Sequence, residues 1–205
     1  RIKALNYGIS RDGTIILESG DKRESVTATY GVEEQDLTSA LLKLLSNDVP
    51  AVYFLTGHGE RNPNVSDGTG CSQIKTALEA DNYKVDTFTF ALTDTVPADM
   101  DVLVIAGPTE ALSDKEISLI DGYVQSGGGL LVMYEPGMPD PLNGMLKKYG
   151  VDIKDDLVID PTHAFYGDIA TPVVQDYVYH QITNDLTGLP SLFPTARAVH
   201  IMDTL

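Results

Sequence analysis

The stretch Ala51-Val52-Tyr53-Phe54-Leu55-Thr56-Gly57-His58-Gly59-Glu60-Arg61 decides the fold. Its first five residues are apolar without alternation, the pattern of a strand covered on both faces, and a polar, glycine-spaced loop then ends the run. A helical pattern carrying Ile74, Ala77 and Leu78 follows. The same unit recurs down the chain. Val85 to Phe90 is a second short run. Val102 to Ile105 leads to a helix carrying Ile117, Ile120 and Val124, and Leu130 to Met133 leads to one around Leu142 to Tyr149. Short apolar strands alternating with amphipathic helices signal parallel βαβ units. The expected architecture is a three-layer α/β/α sandwich with a mostly parallel sheet.

Local signals support these boundaries. Ser113-Asp114-Lys115-Glu116 is a capping box, Asp140-Pro141 offers an N-cap with proline at the first helical position, and Gly150 suits a C-cap. Ser126-Gly127-Gly128-Gly129 reads as a tight helix stop and turn. Upstream, Thr14 to Leu17 and Val26 to Tyr30 flank the turn Ser19-Gly20-Asp21-Lys22, a β-hairpin pattern, and Leu37, Leu41, Leu44 and Leu45 mark a helix ending near Asn47. Val151 to Ile153 and Leu157 to Ile159 read as short edge strands. Beyond Asp160, Pro161, Gly167, Pro172, Gly188, Pro190 and Pro194 break any long element, leaving loops and an outlying strand around Val173 to Tyr179. The expected organisation is a hairpin and helix over 1–48 docked on the body, a parallel α/β core over 49–160, and an irregular C-terminal extension over 161–205.

Bulk properties narrow the function. A 205-residue chain with 42% hydrophobic residues buries a sizeable core. Its 30 acidic and 14 basic residues give a net charge of −16, a field that repels phosphate backbones and so argues against nucleic acid. A single cysteine, Cys71, allows neither an internal disulfide nor a thiolate metal cluster. No run reaches the roughly 18 apolar residues of a membrane span. The chain begins at Arg1 without an initiator Met and ends at Leu205 without a terminating signal, which reads as a piece of a longer protein.

In an open parallel sheet, ligands meet the protein at the carboxyl ends of the strands. The connection from Thr56 to Gly70 runs to about fifteen residues, where such loops ordinarily have roughly 2 to 6. It holds an imidazole, a carboxylate and a guanidinium at His58, Glu60 and Arg61. Two further strand ends bring Gly107-Pro108-Thr109-Glu110 and Tyr134-Glu135-Pro136-Gly137 to the same rim. These groups either form a binding rim or brace the loop, with Arg61 paired to Glu60 or Glu135. His163 and His180, with Phe165, Tyr166, Tyr177 and Tyr179, either lid the rim or pack a loop-rich flank.

Catalytic and cofactor signatures are missing. Neither Gly-x-Ser-x-Gly nor Gly-x-Cys-x-Gly provides an elbow nucleophile, and no HxH, HExxH or DxDxDG spacing offers a metal site. Gly57-His58-Gly59 lacks the third glycine of a dinucleotide fingerprint, and no Walker lysine follows a glycine loop. The expectation is no catalytic residue, no metal and no cofactor.

The string Val52 to Arg61 resembles the soluble domain of the gliding-motility-associated ABC transporter auxiliary family, an ABC-type uncharacterised transport system. Similar stretches follow in order: Asp101 to Pro108, Ser126 to Leu131, Glu135-Pro136-Gly137, Tyr149-Gly150-Val151, Val158-Ile159-Asp160-Pro161, His180 to Thr183 and Phe193 to Arg197. The resemblance spans about Glu34 to Arg197. It implies a class I glutamine-amidotransferase-like, flavodoxin-like fold without the amidotransferase nucleophile. It also implies a membrane-anchored setting, with the domain periplasmic or extracellular between membrane segments outside this stretch, and ABC permease and ATPase subunits or other membrane-complex proteins as partners.

The expected function is a non-catalytic extracytoplasmic auxiliary domain of such a system, with His58, Glu60, Arg61, Pro108, Glu110, Glu135 and Asp160 as candidate ligand-binding residues. The alternatives are a hydrolase or carbohydrate-active enzyme using His58, Glu60 and Glu135 as acid and base, and a structural scaffold in a membrane complex.

Overall fold

A computed structural model of the chain describes residues 7–202 apart from 10, 28–30, 47 and 94. The strand that opens the deciding stretch, β3 (Ala51–Leu55), is buried at every position. It lies inside a four-stranded parallel sheet ordered β4-β3-β5-β6 with β4 (Lys84–Phe88), β5 (Val102–Ala106) and β6 (Gly129–Met133).

Side-chain alternation along these strands makes two separate cores. Tyr53, Leu55, Leu103 and Ile105 face one side, where they pack with Phe88, Leu142, Met145, and Ile120 and Tyr123 of α3 (Asp114–Gln125). Val52, Phe54, Val85, Val104 and Ala106 face the other, against Leu78 of α2 (Ser72–Ala80) and Cys71. Helix α3 begins at the expected capping box, with Ser113 and Glu116 bonded reciprocally. It ends where Gly128 lies against the Tyr123 ring, at a spot where a Cβ atom would stand 2.2 Å from the ring. The triple glycine is therefore a close-packed turn.

The remaining elements form smaller units. β1 (Thr14–Ser19) and β2 (Lys22–Thr27) pair as the expected hairpin, on which α1 (Glu34–Leu45) packs through Ala40 and Leu44. β7 (Val151–Ile153) pairs antiparallel with β11 (Val199–Ile201), and β8 (Ala164–Phe165), β9 (Asp168–Val174) and β10 (Ser191–Leu192) make a three-stranded antiparallel sheet.

The expected three-layer α/β/α sandwich of the glutamine-amidotransferase-like or flavodoxin-like kind is therefore corrected. The fold is a small mixed α/β one, with four helices and four separate sheets among the described residues. On the α2 side the outer layer is one nine-residue helix with no fully buried residue. Leu131 and Met133 of β6 lie beside Val104 and Ala106 in register, on that same face, yet stay 50% and 38% exposed. A helix about 10 Å wide covers roughly two strands spaced 4.8 Å apart, so a lone helix leaves the β6 edge bare.

Smaller expectations shift as well. The helix around Leu142 to Tyr149 is a single turn, α4 (Asn143–Leu146), followed by a 3-10 turn at Lys147–Tyr149 that stops at left-handed Gly150. Asp140 is not its N-cap, because that carboxylate pairs with Arg197. Leu157 to Ile159 forms no strand, and the outlying strand near Val173 starts at Asp168 and ends at Val174. The helix expected to close near Asn47 ends at Leu45, capped by Ser46; position 47 and the 28–30 end of the second hairpin run lie outside the described residues.

Candidate functional site

The carboxyl ends of β3, β5 and β6 meet beneath the long loop that follows β3. Its course is fixed by backbone bonds: the Arg61 amide donates to the Ala106 carbonyl (2.8 Å), and the Thr109 and Glu110 amides donate to the His58 carbonyl (2.8 and 2.9 Å). The loop is thereby tied to the end of β5 and to the Gly107–Glu110 connection. Gly59, at φ +77°, permits the closest approach; a Cβ there would overlap the Thr109 hydroxyl at 1.8 Å. A bridge between Asn62 and Gly70 closes the loop's far end.

Beneath the loop lies a buried ionisable cluster. The His58 ring has Glu60 Oε1 at 3.4 Å from Nδ1 and Glu116 Oε1 at 3.3 Å from Nε2, and the Glu60 side chain is entirely buried. The other Glu60 oxygen accepts the His58 backbone N–H at 2.8 Å, while Nδ1 and Oε1 complete no hydrogen bond. Glu116 performs two tasks, since its second oxygen accepts from the Ser113 amide and hydroxyl, both at 2.7 Å. Burial would raise its carboxyl, but the Ser113 bonds and His58 hold it below the ordinary glutamate value.

On the outer side of the loop, Arg61 is turned the opposite way. Its Nη2 donates to Glu135 Oε1 at 2.6 Å and its Nη1 to the Gly68 carbonyl at 2.8 Å. Around this pair Gly59, Gly68, Thr69, Gly107, Thr109 and Met138 line a cavity of about 260 Å³. Hollows of about 380 and 580 Å³ lie against α1, but neither is lined by an ion pair among the described residues. Cys71 sits at the inner edge, its thiol pushed up by partial burial against the opposing pull of Arg61, and its Sγ–H is directed at the Arg61 carbonyl.

The seven candidates from the sequence thus separate. Arg61 and Glu135 form the exposed pair at the cavity, and of the two pairings open to Arg61 the structure selects Glu135. His58 and Glu60 brace the loop from below. Pro108 is fully buried and offers a ligand only its position in the packing. Glu110 is exposed, and its amide shares the His58 carbonyl with that of Thr109. Asp160 belongs to another place altogether: it accepts from the Thr162 and His163 amides and from the His163 ring, which together lower its carboxyl.

Two residues escaped the sequence reading of the site. Glu116 was legible only as a capping residue, although a capping-box glutamate on a helix that starts at the strand-end rim necessarily faces that rim. Arg197 lies 127 or more positions from the Thr56–Gly70 loop, and no local pattern points to it. Its guanidinium is buried, bonded to the Lys154 carbonyl at 2.6 Å, paired with Asp140 at 3.2 Å and Asp155 at 3.6 Å, and set over the Tyr134 ring. It pins the segment from Tyr134 to Asp140 that carries Glu135 and Met138. The Tyr134 hydroxyl, in the same packing, is pushed up to about 12 by burial.

Of the C-terminal aromatics, Tyr166 and Tyr179 do not pack the flank, at 95% and 85% exposed, while Phe165 meets the Tyr166 ring edge-on. His180 shapes its own turn, its Nδ1 accepting the Ile182 amide. Among the described residues no three His, Cys, Asp or Glu side chains are grouped to hold a metal ion, and no helix is long and apolar enough to cross a membrane.

The family described as an ABC-type uncharacterized transport system matches residues 49–189. A mouse (Mus musculus) protein, Intraflagellar transport protein 52 homolog, is 25% identical over 124 residues, which are 58% of this chain and 29% of that protein. The chain therefore spans under a third of that relative's length. The solved structure of the mmIFT52 N-terminal domain superposes with a TM-score of 0.59 at 21% identity, covering 75% of this chain and 69% of that one. At that identity the likeness carries the fold alone, and it sets the architecture beside that N-terminal domain instead of the glutamine-amidotransferase sandwich.

Proposed function

The chain belongs to the family of ABC-type uncharacterized transport systems, and from that premise we propose that it is a non-catalytic, extracytoplasmic auxiliary domain of a gliding-motility-type system, binding a ligand or partner at the strand-end rim. The observation that carries the rim is the Arg61–Glu135 pair beside a cavity at the carboxyl ends of parallel strands, the place where open α/β sheets present ligands. Family membership supports an auxiliary role in ABC transport, with permease and ATPase subunits as the partners. The acid–base alternative draws no support from the geometry: His58 faces Glu60 and Glu116 under the loop, while Glu135 is engaged by Arg61 outside it.

The test is capture of the cognate permease and ATPase by the tagged full-length protein from detergent-solubilised membranes. Capture of those subunits by the wild type, lost with Glu135→Arg, supports a partner-binding rim. Localisation is read by protease protection in intact cells; a domain digested only after lysis of the inner membrane would contradict the extracytoplasmic placement.

A scaffold role has its own support in the C-terminal flank, where Val178, Tyr179 and Ile182 are 81% or more exposed close together in sequence. Exposed apolar side chains grouped in this way suit a protein contact. Retained subunit capture by Glu135→Arg, with loss on Tyr179→Asp, would favour this flank over the rim.

A further inference from the structure

The walls of the rim cavity restrict what it can hold, and the inference drawn from them rests on the rim being a ligand site. Of the five N–H groups on the Arg61 guanidinium, one reaches Glu135 and one the Gly68 carbonyl; the others have no acceptor among the described residues. Glu135 presents its second oxygen, Oε2, with no donor among the described residues. Both side chains remain open, at 41% and 47% exposure. A half-used donor fork therefore stands beside a half-used carboxylate.

We propose that the rim cavity receives a small zwitterion of the α-amino-acid class, its carboxylate taken by Arg61 and its ammonium by Glu135. A simple anion would be attracted by Arg61 and repelled by Glu135, inside the field of a chain carrying −16 charges. A simple cation would meet the reverse at Arg61. A ligand bearing both charges one carbon apart meets an opposite charge at each end, across a pair whose own N···O separation is 2.6 Å, and the site stays neutral overall.

Size and lining agree with this class. A volume of about 260 Å³ corresponds to the share of about nine water molecules, enough for a single amino acid. Met138 gives a side chain an apolar wall, and Thr69 and Thr109 line the other sides. The two charged groups are also held ready, Arg61 by the hydrogen bond its backbone N–H donates to the Ala106 carbonyl and Glu135 by the Arg197-pinned segment. Such preorganisation lowers the ordering cost of binding.

The experiment is isothermal titration and thermal-shift measurement on this protein with L-alanine, L-methionine, N-acetyl-L-alanine, L-alaninamide and glucose. The two free amino acids are expected to bind saturably and raise the melting temperature, with the two blocked derivatives at least about tenfold weaker because each lacks one charge. Arg61→Gln and Glu135→Gln should each weaken L-methionine at least about tenfold while keeping the wild-type circular dichroism spectrum. Equal binding of free and blocked amino acids, or binding of glucose alone, overturns the zwitterion class and leaves the rim as a ligand site. No binding of any probe also overturns that class; the rim itself falls only if, in addition, Glu135→Arg leaves subunit capture intact.

Discussion

At the scale of single residues, burial separates two charge pairs that look alike in the sequence. Arg61 and Glu135 are both over two-fifths exposed, and exposed pairs contribute at most about 1 kcal/mol. Their replacement should alter binding with little effect on folding. The Glu60 side chain is wholly buried, one oxygen on the His58 backbone N–H and the other facing the His58 ring, so removing the ring takes away the polar group nearest that second oxygen. His58→Ala is expected to cost about 1–3 kcal/mol in urea denaturation, the range for a buried polar group left unsatisfied, and Glu60→Gln in the same background should recover part of that loss. Strict additivity of the two substitutions, within about 0.5 kcal/mol, would mean that the pair does not act as a unit. Glu116 supplies a pH dependence. Its folded carboxyl titrates below the unfolded one, so its contribution is present above the ordinary glutamate range, about 4.3, and is lost as pH falls through the folded value. Ser113→Ala removes the hydroxyl bond and should move the Glu116 titration upward in a carbon-detected NMR series.

At the scale of elements, the long loop and the segment after β6 are two halves of the rim, held by different devices. The loop after β3 is tied by its own backbone to β5, a device readable in outline from its glycines and its excess length. The segment from Tyr134 to Asp140 depends on Arg197, which arrives from the far end of the chain. Arg197→Lys keeps the charge but loses the planar fork that reaches the Lys154 and Met138 carbonyls together with Asp140. Hydrogen exchange should then quicken at Gly137 and Met138, whose amides donate to Asp155 and to the Glu135 carbonyl, while α3 amides keep their protection. Unchanged exchange at those two amides would remove Arg197 from its pinning role. The contrast explains what the sequence could show. Strands β3 and β5, the capping box at Ser113 and the gathering of Arg61 and Glu135 at strand ends follow from local pattern. Arg197, the direction in which Asp140 is used and the burial of Pro108 depend on contacts between distant segments, and local pattern carries no trace of those.

At the scale of the whole molecule, the deciding stretch predicts the parallel sheet but not how completely it is covered. Periodicity reports that β3 and β5 are buried on both faces; it cannot count the helices that bury them. β6 reads as the same kind of strand in sequence, Gly129-Leu130-Leu131-Val132-Met133, yet alternates between packed and open positions because it is an edge beyond the reach of α2. The single-helix layer has a measurable consequence. Ile105 is fully buried on the α3 face, and Ile105→Ala should cost about 2–5 kcal/mol through lost burial and a residual cavity. Leu131 lies on the α2 face half exposed, so Leu131→Ser should cost no more than about 1 kcal/mol. In a sandwich with a complete second helical layer, the two positions would be equally covered and their substitutions comparably severe. Chemical denaturation of both variants distinguishes the arrangements, because a loss at Leu131 as large as that at Ile105 would require a cover over β6 that a lone helix α2 does not provide.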